Sequence, residues 1–179
     1  MCETADWDSA VEYDTFLTNA RENVELMKAR YTDLMLNEAE QGMLSSIQNE
    51  IRILIIGTDR CDDSAGNIPV LARMAALSPR LKLRVLDSDK NAKLHQQYKV
   101  NGKRKTPVVL FMSKENQEIC RWVERPNAAY KHVNQGSRPV LADRKAALKN
   151  LYSDSEILRQ SLSEFMSLLI RSDYVLGRV

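Results

Sequence analysis

The stretch "IRILIIGTDRCDDSAGNIPVL", from Ile51 to Leu71, decides the fold class of this chain. Its first seven residues are mostly β-branched and apolar on both faces, as expected for a central strand of a sheet that is covered on both sides. A charged loop that contains Cys61 follows Gly57, and a helical pattern begins at Ser64. A buried strand that leads through a short loop into a helix predicts an α/β fold.

The chain after this stretch continues the alternation of strands and helices. Three further strands are predicted: Leu81–Asp87, Pro107–Met112 and Glu118–Val123. Helices are predicted over Ser64–Leu77, over Lys90–Tyr98 behind a cap from Asp87–Asp89, and from Asn127 onward. The order β-α-β-α-β-β-α therefore predicts a mixed central sheet with helices on both faces.

Helices are also predicted before and after this core. From Tyr13, apolar residues recur every three or four positions, which indicates one long helix, and Ser9 with Glu12 forms a candidate capping box. The apolar positions are Phe16, Ala20, Val24, Met27, Tyr31 and Leu34. The other added helices are predicted over Glu38–Ile47, Val140–Leu151 and Asp154–Ser172, the last with a Ser153/Glu156 capping box.

We expect the N-terminal apolar face to dock on another surface, because isolated helices are marginal in water. The expected surface is the apolar stripe of the last helix, reached within one chain or across a homodimer. This stripe consists of Leu158, Leu162, Phe165 and Leu169. The predicted organisation is one compact domain, with a helical extension over 1–49, a core over 50–135 and C-terminal helices over 136–179.

Charge and composition exclude several classes of partner. The 179 residues carry a net charge of +2 with both signs interspersed, so nucleic acid is not an expected partner. No apolar stretch approaches the length of about 18 residues that a membrane span needs, and the acidic N-terminus does not resemble a secretory signal. The three widely spaced cysteines do not suggest a disulfide framework or a zinc site. We therefore expect a cytoplasmic protein.

Three short motifs lie along the predicted core. Cys61 and Ser64 form a Cys-x-x-Ser at the start of a helix, Pro69 lies inside that helix, and Thr106-Pro107 opens a later strand. This pattern resembles the thioredoxin fold, which has Cys-x-x-Cys at this turn, a proline in the same helix and a cis-proline that faces the active site. The resemblance implies the same fold here and a cis peptide bond before Pro107.

The helices before the core make the chain similar to small bacterial thioredoxin-like proteins that typically have Trp-Cys-x-Asp-Cys at the loop. The sequence "RCDDS" keeps the cysteine of that pattern and, at Asp63, its aspartate. Three positions differ from the family: Ser64 replaces the second cysteine, Arg60 replaces the tryptophan, and Ile55 replaces a buried aspartate. The resemblance thus implies one-cysteine chemistry, in which Cys61 forms mixed disulfides with a protein or a small thiol.

No bound cofactor is implied, although glutathione or another low-molecular-weight thiol could be a co-substrate. The alternative is a non-catalytic interaction module with the same fold. In favour of chemistry, a helix N-terminus stabilises a thiolate at Cys61, and Arg60 would add to that effect. Three nearby carboxylates would oppose it: Asp59, Asp62 and Asp63. We expect these to be solvated loop charges rather than a metal site.

The expected catalytic residues are Cys61 and Ser64, and the expected substrate-binding residues are Arg60, Asp63, Thr106, Pro107 and Trp122. The indole of Trp122 could lie near Pro107 at an apolar binding surface or could pack in the core. The basic run Lys103–Lys105 could attract an acidic peptide or glutathione carboxylates, or could be a solvated loop. We expect Cys120 in the core and Cys2 in the N-terminal segment. We expect His95 and His132 at the surface or in loops.

Overall fold

The computed structural model describes residues 4–135, 146–147 and 150–177, and these contain a four-stranded mixed sheet. The strands are β1 (Ile51–Gly57), β2 (Leu81–Asp87), β3 (Val108–Met112) and β4 (Glu118–Val123). Their order across the sheet is β2-β1-β3-β4, with β1 parallel to β2 and antiparallel to β3. All four predicted strands are confirmed, and β3 begins one residue later than expected.

Helices precede the strands, connect them and follow them in the chain. Before the sheet lie α1 (Thr4–Ser9), α2 (Tyr13–Asn19), α3 (Val24–Asp33) and α4 (Glu38–Ser45). Later helices are α5 (Asp62–Ala76), α6 (Ala92–His95) with a 3-10 turn at Gln96–Tyr98, α7 (Asn127–Gln135) and α8 (Ser155–Leu176). The helix predicted over Val140–Leu151 lies largely outside the described residues. Among the helices that the structure describes, none has both the length and the apolar character that crossing a bilayer would require.

Strand β1 is buried on both faces because each face packs against a separate apolar layer. Ile53 and Ile55 belong to the layer beneath α5 and α8, whereas Leu54 and Ile56 belong to the layer that contains Trp7. Alternate residues of a strand point to opposite faces, so a doubly covered strand must be apolar at successive positions. This explains why "IRILIIG" identified the centre of the sheet.

The prediction of a single N-terminal helix from Tyr13 is wrong, because the helix is interrupted between α2 and α3. Asn23 precedes α3 with a left-handed φ of 55°. The carboxylate of Asp59 accepts hydrogen bonds from the backbone N–H groups of Arg21 and Glu22 at 2.7 and 3.1 Å. The break is therefore held by the loop that precedes Cys61.

Both of the expected capping boxes are also wrong. Ser9 ends α1 and its hydroxyl donates to the carbonyl of Asp6, while Glu12 precedes α2 without a side-chain cap. At α8 the capping side chain is Asp154, which accepts from the N–H of Glu156. In both cases the residue types fit the motif, but the helix begins at a different residue.

The extension docks as expected, but on a different helix. Helix α3 packs against α5, with Met27 fully buried, whereas α4 contacts α8. The apolar stripe of α8 is buried in the core layer beneath the sheet, so it is not available to α3. Arg30 adds to the α3–α5 contact, because its Nε donates to the carbonyl of Gly66 at 2.9 Å.

Substitution of Met27 tests whether this docking stabilises the whole domain. Met27→Ala should lower the free energy of unfolding by about 2–5 kcal/mol, because it leaves a cavity between α3 and α5. The matched control is Met35→Ala, since Met35 is 73% exposed and its loss should change stability by no more than about 0.5 kcal/mol. Chemical denaturation measures both values, and equal effects of the two substitutions would contradict the docking.

Candidate functional site

Cys61 lies at the carboxyl end of the sheet, as the residue that precedes the first turn of α5. Its side chain is half-buried, and its thiol donates to the carbonyl oxygen of Thr106 at a sulfur–oxygen distance of 3.5 Å. The Thr106-Pro107 peptide bond is cis, as the resemblance implied. The fold thus brings together two motifs that are 45 residues apart in the chain.

Ser64 lies in the first turn of α5 and is fully buried. Its hydroxyl accepts a hydrogen bond of 3.4 Å from the backbone N–H of Thr58. The side chain therefore closes the loop between β1 and α5. Ile55 is buried in the apolar layer beneath α5 and supplies no acidic group there.

Asp62 and Asp63 are buried, so the expectation that they are solvated loop charges is wrong. Asp63, which is 5% exposed, accepts from Arg125 Nη2 at 2.6 Å through Oδ2. Its other oxygen accepts from the hydroxyl of Tyr152 at 2.5 Å, and Asn67 donates to that hydroxyl at 3.1 Å. Hydrogen bonds thereby connect the first turn of α5 to Arg125, which follows β4, and to Tyr152, which lies in the segment before α8.

Burial dominates the titration of Asp63. Removal from water raises the pKa of its carboxyl to about 6, against the opposing effects of Arg125 and Tyr152. The folded state therefore binds a proton more tightly than the unfolded state does. This group contributes stability that is fully present below its unfolded pKa and is lost as the pH rises through about 6.

A second carboxylate lies beside the proline. Although burial acts in the opposite direction, hydrogen bonds from Lys105 and Tyr130 hold the pKa of Glu124 below its usual value. The two donors lie at 2.6 Å each, and the backbone N–H of Glu124 donates to the carbonyl of Pro107 at 2.8 Å. Lys105 is thus paired within the chain, while Lys103 and Arg104 are exposed.

Two of the expected binding residues are placed elsewhere. Arg60 forms an ion pair with Asp89 and is exposed, and no hydrogen bond connects it to the sulfur of Cys61. Trp122 is 8% exposed and packs edge-on against Phe165, with the ring centroids 4.9 Å apart. Its indole N–H donates to a carboxylate oxygen of Glu164 at 2.6 Å. The structure therefore favours the core-packing interpretation of Trp122.

The other titratable residues are also located. His95 is 2% exposed, and its Nε2 contacts the carbonyl of Lys105 at 2.8 Å, so the expected surface position is wrong. His132 is exposed on α7. Cys120 is half-buried beside Ser172, and burial raises the pKa of its thiol. Within the described residues, no cluster of histidine, cysteine or acidic side chains could hold a metal ion.

The comparison with known proteins agrees with this geometry. The sequence model of a family described as thioredoxin matches residues 10–139, more than half of the chain. The chain belongs to this thioredoxin family. Its α/β structure is a thioredoxin-like fold with added helices. A search of the curated proteins finds no match.

Two solved structures share this thioredoxin-like fold over nearly the whole chain. The first is a protein of unknown function, PA1234, from Pseudomonas aeruginosa, with 21% identity and a TM-score of 0.74. The second is an HIV epitope scaffold, with 19% identity and a TM-score of 0.69. In each case the match covers 94% of this chain and 98% of the other. These similarities support the fold and do not assign an activity.

Substitution of Gly66 tests the packing behind the site. A Cβ at this position would lie 2.1 Å from the ring of Tyr152, whose hydroxyl is held by two hydrogen bonds. Gly66→Ala should therefore lower the free energy of unfolding by about 3 kcal/mol or more. Gly42→Ala is the control, because nothing lies within 4 Å of its Cβ position and alanine should stabilise α4 by about 0.5–1 kcal/mol. Urea denaturation of both variants measures the contrast; a neutral Gly66→Ala would refute this packing.

Proposed function

We propose that this thioredoxin-like protein acts through a one-cysteine site, at which Cys61 forms a mixed disulfide with a protein or a small thiol. The observation that carries the proposal is the position of Cys61. It precedes a helix, is accessible in part, and faces the carbonyl that precedes a cis-proline. Ser64, in the first turn of the same helix, carries a hydroxyl at the position where a two-cysteine site has its second thiol.

The chemistry requires two thiol–disulfide exchanges. The Cys61 thiolate attacks one sulfur of the partner's disulfide, that bond breaks, and the second sulfur leaves as a thiolate that takes up a proton. The thiolate of a low-molecular-weight thiol of the glutathione type then attacks the partner's sulfur in the mixed disulfide, which forms a new disulfide between that thiol and the partner, breaks the bond to Cys61 and releases Cys61 as a thiolate. The serine hydroxyl cannot perform this second attack, so the external thiol supplies the reducing electrons. A cytoplasmic setting would provide such thiols in abundance.

A non-catalytic binding module is the second candidate. It is favoured by the loop itself, because the Ser64 hydroxyl bonds to Thr58 and Arg60 pairs with Asp89. In that case the surface beside Thr106 and Pro107 would bind a partner without covalent chemistry. Dimerisation through the added helices would also be compatible with this candidate.

Trapping of mixed disulfides separates the two candidates. The protein is mixed with a disulfide such as oxidised glutathione or insulin, quenched with acid and examined by mass spectrometry. Adducts should form at Cys61 and persist until a thiol is added, and Cys61→Ser should abolish them. Cys120→Ser is the control and should retain them, because Cys120 is part-buried with a raised thiol pKa. Failure of Cys61 to form any adduct would favour the binding module.

Restoration of the second cysteine tests the role of Ser64. The wild-type chain should show weak or no disulfide reductase turnover with insulin, whereas Ser64→Cys should increase it. Ser64→Ala is the control, since it removes the hydroxyl without adding a nucleophile and should leave turnover low. Strong turnover by the wild-type chain would contradict the one-cysteine mechanism and indicate that Cys120 or Cys2 resolves the disulfide.

A further inference from the structure

Four charged side chains connect the first turn of α5 to the residue before Thr106, and we call them the charge ring: Asp63, Arg125, Glu124 and Lys105. Arg125 Nη2 lies 2.6 Å from Asp63 and 3.1 Å from Glu124, and Lys105 lies 2.6 Å from Glu124. Lys105 is adjacent to Thr106, whose carbonyl accepts from the thiol of Cys61. Cys61 and Asp63 are two residues apart at the start of α5. The series of contacts that begins at Asp63 therefore ends beside the same helix, at Cys61.

The charges of this ring cancel when both carboxylates are ionised. Asp63 and Glu124 then carry two negative charges, and Arg125 and Lys105 carry two positive charges. Protonation of Asp63 would leave the ring with one net positive charge. Because Asp63 and Arg125 are largely buried, water screens this change of charge less than it would at the surface.

Other charged and polar groups outside the ring lie around Asp63. Across the ring of Tyr152 lies the guanidinium of Arg30, a further positive charge with its centre 5.7 Å from that ring. The remaining groups are Asp62 and Asn67 on α5, the hydroxyl of Tyr152, and Tyr130 on α7, whose hydroxyl donates to Glu124 of the ring.

We propose that Asp63 is a positioning residue whose protonation state controls the reactivity of Cys61, through the net charge of the ring beside it. A proton on Asp63 makes the ring positive and favours the Cys61 thiolate. An ionised Asp63 makes the ring neutral and disfavours it. This deepens the proposed function, because the same thiol would carry out the disulfide exchange.

The consequence is a reactivity that rises less steeply with pH than that of an isolated thiol. The rate of alkylation of a thiol normally increases about tenfold per pH unit while the thiolate is a minor species. As Asp63 ionises near pH 6, where burial has moved its pKa, part of this increase is lost. A change of one unit charge in this partly buried ring should change the rate by about three- to tenfold.

The test is the pH dependence of alkylation of the full chain by iodoacetamide, from pH 4.5 to 8.5. Mass spectrometry of the peptide that contains Cys61 gives its rate separately from those of the other cysteines. The ratio of the Asp63→Asn rate to the wild-type rate should be about 1 at pH 4.5 and should rise about three- to tenfold by pH 8, with a midpoint near 6. A ratio that does not vary with pH would overturn the proposal.

Asp59→Asn is the matched control, because Asp59 is also two residues from Cys61 but lies outside the ring. Backbone hydrogen bonds from Arg21 and Glu22 hold the pKa of Asp59 below its usual value despite partial burial, so it stays ionised over this range. The rate ratio for Asp59→Asn should therefore be constant with pH. A midpoint near 6 for this variant as well would overturn the role of Asp63.

Tyr152→Phe keeps the proposal testable if Asp63→Asn does not fold. It retains the ring packed on Gly66 but removes the hydrogen bond that favours the Asp63 carboxylate. The point at which the alkylation profile loses steepness should move to higher pH, and a profile identical to that of the wild type would overturn the proposal. Because iodoacetamide needs no partner disulfide, this result is independent of whether Cys61 forms mixed disulfides.

Discussion

The buried pair of Asp63 and Arg125 is the interaction on which the arrangement of the site depends. An ionised carboxylate can remain in a protein interior only if its charge is paired and both oxygens are hydrogen-bonded. Arg125 and Tyr152 provide these partners from positions 62 and 89 residues away in the chain. The end of β4 and the segment before α8 therefore stabilise the first turn of α5, and removal of Arg125, which would leave the buried charge of Asp63 unpaired, would cost about 3–5 kcal/mol.

The strands were predictable because their signals are local. A run of apolar β-branched residues in β1, and alternation in β2, follow directly from which faces of the sheet are covered. The break between α2 and α3 was not predictable, since the apolar period continues through Ala20. What ends the helix is Asp59, a residue almost 40 positions later, which binds the N–H groups of Arg21 and Glu22.

The same contrast between local signals and long-range contacts applies to the candidate site. The meeting of Cys61 with Thr106 followed from the family pattern, which identified a motif at each position. Nothing in the sequence around Asp63 indicates Arg125 or Tyr152, because no spacing rule connects residues so far apart. Gly66 was the one local signal, since a glycine inside a helix often marks a close approach, here that of the Tyr152 ring. His95 likewise gave no local sign that it would bind the carbonyl of Lys105.

The hydrogen bonds from Asp59 connect the thiol loop to the break between α2 and α3, so order in one of these segments stabilises order in the other. A molecule that bound and ordered the extension would also favour the ordered form of the loop, by the reciprocity that governs any two coupled sites. The reverse holds as well, so binding of a partner at Cys61 that ordered the loop would also stabilise the start of α3. The helices before the core are therefore linked energetically to the thiol loop through Asp59.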